Sequence, residues 1–137
     1  MTVDLMSALK AILLADSTVA NLVVKRVGME VPEADAKNMP VAAIVLKPAG
    51  GPKDGGYQTT GNQRVDVICY GESLAESWTV YLAVYTVLNA IERELSQGVL
   101  VHSADVQAKG ATARDPLKQW PVTYSSWLVL ASEVPAA

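Results

Sequence analysis

Leu5, Met6, Leu9, Ile12 and Leu13 recur at i, i+3, i+4 and i+7 spacing, which predicts a helix over about Val3 to Ala15 with one apolar face. Asp16-Ser17 then reads as a stop and a fresh N-cap for a short turn of helix through Asn21 and Leu22. Val23 to Glu30 has the pattern of a short strand, and a polar connection over Val31 to Asn38 follows, closed by Pro40. Val41 to Lys47 is apolar at consecutive positions, as expected of a strand covered on both faces. In Gln63 to Tyr70, Val65, Val67 and Cys69 fall on one face, and Arg64, Asp66, Ile68 and Tyr70 on the other.

The firmest helix begins at Ser73. Ser73 and Glu76 form a capping box, and Leu74, Trp78, Tyr81, Leu82, Tyr85, Leu88, Ile91 and Leu95 predict an apolar stripe of about six turns. Gly98 is placed to end that helix. Val99 to Ala108 and Val122 to Ala131 read as two further strands, joined by a polar connection broken at Pro116 and Pro121. The expected fold is α+β: a single mixed, mainly antiparallel sheet of about five strands with two helices on one face. One domain over residues 1–132 is expected, with a frayed tail at 133–137.

Between the two middle strands, residues 48–62 are rich in glycine and lack any period, which predicts a long hairpin arm. Lys53, Asp54, Tyr57 and Gln58 of this arm, together with Arg64 and Trp120, are the candidate partner-contact residues. Trp120 joins them because a tryptophan in a polar, proline-bounded loop suits a protein interface.

Composition narrows the function. The 137 residues suffice for one core, with half of them apolar and a net charge of −3. No basic stripe of the kind that grips nucleic acid is visible. One cysteine and one histidine exclude a disulfide framework and leave little for a zinc or nucleophilic site. The longest apolar run of the first helix, Ala11 to Ala15, is far shorter than the roughly 20 residues that span a bilayer. It has no signal-peptide flanks, so the product is expected to stay in the cytoplasm.

Two motifs imitate chemistry. Gly71-Glu72-Ser73-Leu74-Ala75 lies between a strand and a helix, close to a G-x-S-x-G nucleophile elbow. Between Ser73 and His102, however, the only acids sit on the helix that Ser73 starts, and Ala75 replaces the last glycine. Capping explains Ser73 and Glu76 without catalysis. The glycines of residues 50–56 suggest a phosphate loop, but Asp54 follows Lys53 where Ser or Thr is needed, and a strand follows rather than a helix. Cys69 reads as a buried inert thiol and His102 as a structural side chain. No cofactor or metal is expected.

The layout itself carries a resemblance. The N-terminal helix running into Ala15-Asp16-Ser17-Thr18-Val19 comes first, then Met39-Pro40-Val41-Ala42-Ala43-Ile44-Val45-Leu46. Next are Arg64-Val65-Asp66-Val67-Ile68-Cys69-Tyr70-Gly71, the helix from Ser73 and a closing strand pair. Together these resemble the tail terminator (tail completion) proteins of long-tailed bacteriophages, the lambda tail protein U group. The resemblance covers about residues 3–131. It implies a homo-oligomeric ring, a hexamer, on the last disc of the tail tube at the head-proximal end of the virion. Such a ring stops tube growth and offers a docking face to the neck protein, with no enzymatic activity. It further implies a lumen that DNA traverses without specific binding, and an arm at 48–62 that orders on assembly. A head–tail joining protein of the neck is the structural alternative, and a small-ligand-binding or hydrolytic α+β domain is the alternative from another class.

Overall fold

The computed structural model describes residues 5–24, 26–29, 40–49, 60–116 and 118–133. Helix α1 (Leu5–Ala15) buries Leu5, Met6, Leu9, Ile12 and Leu13, the stripe its spacing predicts, and adds Ala8. Asp16 then accepts a hydrogen bond from the Val19 N–H at 3.1 Å and starts α2 (Ser17–Val23). The two helices meet at 98°. Val23 is the last residue of α2 rather than the start of a strand. Val24 adopts left-handed backbone as its C-cap, and the strand that follows, β1, is only Val27–Gly28.

Strands β2 (Ala43–Pro48) and β3 (Thr60–Tyr70) pair antiparallel, Ala43 opposite Tyr70 and Pro48 opposite Val65. Pro48 and residues 60–62, expected in the arm, are therefore strand, while 50–59 lie outside the described residues. Helix α3 (Leu74–Asn89) begins as the capping box dictates: Ser73 Oγ accepts from the Glu76 N–H at 3.2 Å. The Glu76 carboxylate reaches back to the N–H of Glu72, also at 3.2 Å, one residue before the cap. Replacing Ser73 with alanine should cost about 1 kcal/mol of stability in urea unfolding and leave the folded structure unchanged.

The helix stops earlier than its apolar spacing suggests. Ala90 and Ile91 donate to Val87 and Leu88 carbonyls in tightened i→i+3 bonds, and Ile91 turns down into the core. Leu95 belongs instead to an unanticipated strand, β4 (Glu94–Ser96), which pairs with the start of β5 (Val99–Arg114). Gln97 and Gly98 between them both have positive φ, +51° and +76°, as a two-residue type I′ hairpin requires. Gly98 thus serves a hairpin and not a helix end. Strand β5 runs through Lys109-Gly110-Ala111-Thr112-Ala113-Arg114, expected as loop, because β6 (Pro121–Glu133) pairs with Ala108 and again with Ala111 to Arg114, across a register shift at Lys109-Gly110. Glu133, expected in a frayed tail, closes β6 opposite Val99, and 134–137 lie outside the described residues.

Among the described residues the sheet has six strands in the order β1-β2-β3-β6-β5-β4. Only β1 and β2 are parallel, so the sheet is mixed and mainly antiparallel as expected, with β4 as the extra strand. Three register shifts in β5 bend it. All three helices pack on the face that carries Ile44, Leu46, Val65, Val67, Cys69, Val101, Trp127 and Val129. The opposite face carries a smaller cluster of Ala43, Val45, Ile68, Tyr70 and Val122. The fold is α+β, and among the described residues no single helix is long and apolar enough to cross a membrane.

Candidate functional site

The side chains with chemical potential are engaged structurally. Ser73 caps α3, and the His102 ring is hydrogen-bonded to Ser132 at 2.9 Å rather than to Ser73. Cys69 is fully buried, and desolvation pushes its thiol pKa up, away from the reactive thiolate. Among the described residues no three His, Cys, Asp or Glu side chains gather as a metal site would need.

The face of the sheet opposite the helices holds a shallow trough of about 410 Å³. Ile68, Ala108, Ala111 and Tyr124 supply its apolar surface, and Lys47, Asp66 and Lys109 its charges. Asp66 stands directly across from Lys47 in the β2–β3 register. Two of the expected contact residues lie on this same side of the sheet. Arg64 is exposed and donates to Ser126 Oγ at 3.3 Å. Trp120 is half-buried and packs edge-on against Tyr70, with ring centroids 6.0 Å apart. The tryptophan thus lids the smaller cluster instead of standing free on its loop. Asp115 anchors that loop by accepting from the Lys118 N–H at 2.9 Å. Burial, with the Asp115 carboxylate adding to it, raises the pKa of both Tyr70 and Tyr124 above the usual tyrosine value; the Tyr124 phenol adds a further push on Tyr70.

Arg64 and Trp120 do not form one site. Trp120 packs on Tyr70, which lies about 20 Å along β3 from Arg64 at ~3.3 Å per residue. Lys53, Asp54, Tyr57 and Gln58 lie outside the described residues.

A second surface lies on α3, where the expected stripe splits in two. Ser77, Val80, Tyr81, Val84 and Leu88 face the core. Leu74, Trp78 and Leu82, expected in the core, are 38%, 40% and 48% exposed and line the outer face at i, i+4 and i+8. The threonine hydroxyls on that face are already satisfied: Thr79 donates to the Ala75 carbonyl and Thr86 to that of Leu82, each at 3.0 Å. Glu76, near the N-terminus, is the one charged residue in the whole helix. An outer face so poor in charge, with a tryptophan at its centre, has the composition of a protein interface. The available signal was that α3 is apolar on nearly all sides, more than one core contact can use.

Comparison with known proteins finds the fold elsewhere. No family model matches the chain, and no curated protein matches it in sequence. Among solved structures it is similar to a chain from the virion of a native gene transfer agent (GTA) particle, with a TM-score of 0.69 and 17% identity. The match covers 93% of this chain and 94% of that one. At that identity the likeness establishes a shared fold across nearly the full length of both chains.

Proposed function

We propose that this protein is a structural subunit of a tailed virus-like particle. In this reading it assembles as a ring of six copies that caps the head-proximal end of the tail tube, stops its growth and presents a docking face to the neck. The observation that carries the reading is the fold likeness to a virion chain over 93% of the sequence, in a chain whose layout resembles tail terminators. An outer helix face almost without charge supports repeated subunit contacts. The net charge of −3 suits a lumen that DNA crosses without adhering, since like charges repel.

Electron microscopy of a lysate from particles in which this gene is disabled tests the proposal. Filled, tailless heads beside overlong free tubes are the expected result, because only a missing cap leaves the tube free to keep growing. Separate heads beside tails of normal length would place the protein in the neck instead, and intact particles would remove both roles.

A further inference from the structure

We infer that the outer face of α3 docks into the sheet trough of a second copy of this chain, and that this is the contact from which the proposed ring is built. The inference rests on the ring reading above and names the surfaces it would use.

The two surfaces lie on opposite sides of the molecule. Helix α3 sits on one face of the sheet with Leu74, Trp78 and Leu82 partly exposed, and the trough opens on the other face. They cannot meet within one chain. A contact between two different patches is heterologous, the class that generates rings when its rotation closes. Each surface supplies what the other lacks. The sheet has helices on one face only among the described residues, and the helix has a solvent face with a core-like composition. Docking gives the trough the helical layer it is missing.

Shape and charge agree with this pairing. A trough of about 410 Å³ with Ile68, Ala108, Ala111 and Tyr124 at its surface has room for the Trp78 indole. Trp78 is held ready by its own neighbours. Its ring lies 5.0 Å from that of Tyr81, and Tyr81 in turn lies against Gly110, where an added Cβ would come within 2.7 Å of the ring. The acids at the head of α3 are Glu72 and Glu76, and the trough has Lys47 and Lys109 on its two sides. Asp66 offsets Lys47 across the strand pair, so Lys109 is the stronger partner for an incoming carboxylate.

The helix strip, about 24 Å long and 10 Å wide, covers roughly a third of the ~800 Å² that each side of a standard interface buries. The sheet side chains around the trough must therefore share the contact.

Sedimentation of the purified chain over a concentration series tests the inference. The parent should self-associate. Trp78→Asp and Leu82→Lys should each raise the dissociation constant about thirtyfold while keeping a cooperative melt. Glu72→Lys and Lys109→Glu should each weaken association, and the double variant should return to within about threefold of the parent. A parent that stays monomeric overturns the inference. So do Trp78 and Leu82 variants that associate like the parent, or a double charge variant weaker than either single one. The capping role is decided separately by the lysate: overlong tubes in the absence of this protein would uphold the cap even if its subunits meet through other surfaces.

Discussion

Trp127→Ala should be the most damaging single substitution in this fold, lowering stability by about 4 kcal/mol. The indole is fully buried at the centre of β6, where it packs against the Tyr85 ring at 5.5 Å. Its Nε1–H donates to Ser125 Oγ at 3.1 Å, and that hydroxyl in turn donates a hydrogen bond to the Val67 carbonyl at 3.5 Å. Alanine leaves a void that the flanking strands cannot close, because both are hydrogen-bonded to β6 along its length. It also strips Ser125 of its donor, though not of its acceptor. A single domain has a stability of about 5–15 kcal/mol, so the loss is a large share of the whole. Urea unfolding measures it. A loss under about 1 kcal/mol would mean that the indole is not in the core.

Gly71→Ala should cost about 3 kcal/mol for a different reason. The Cβ it adds would lie 2.4 Å from the Ser77 amide nitrogen and 2.8 Å from the Glu76 carbonyl carbon. Both are backbone atoms of the first turn of α3, so no side-chain rotation relieves the clash. Either the helix start or the end of β3 must move. Gly98→Ala is the natural control. Nothing lies within 4 Å of its added Cβ, and only its φ of +76° opposes the change, at about 1 kcal/mol. Equal losses at the two positions in parallel unfolding experiments would refute the close-approach argument.

The parts of the fold legible in the sequence were those whose signal is local. The Asp16 and Ser73 caps start helices where their side chains can reach backbone N–H groups. The alternation in Val65, Val67 and Cys69 assigns one face of β3 correctly. What was not legible depended on partners distant in sequence. Ile91 and Leu95 continue the spacing of α3, yet the chain turns between them, since Leu95 gains a pairing with Leu100 that a helix would forfeit. Lys109 to Arg114 has no strand signature of its own, and Ala111 to Arg114 are held extended by pairing with β6. Ser77 is buried despite its hydroxyl because that group donates to the Leu74 carbonyl at 2.8 Å and lies 3.0 Å from the Thr123 hydroxyl. Where a helix is apolar all round, spacing alone cannot say which side meets its own sheet. For this reason the spacing places Trp78 inward, whereas it is 40% exposed. Of the expected contact residues, Arg64 and Trp120 reach the open side of the sheet, but far apart.

The position of β6 has a consequence for the order of events during synthesis. Among the described residues it follows the other five strands along the chain, yet it lies in the interior of the sheet, pairing with β3 on one side and β5 on the other. Thr60 waits for Ser132, and Tyr70 for Val122. Until that segment leaves the ribosome, the β1–β3 half and the β4–β5 half have no sheet contact with each other, and each exposes a long unpaired strand. The last insertion joins both halves at once, so folding should be late, cooperative and slow for a chain of this size. A nascent chain stalled before Pro121 would present two sticky edges to its neighbours. In the proposed ring, delaying the completed sheet to the final step would also keep half-made chains out of the assembly.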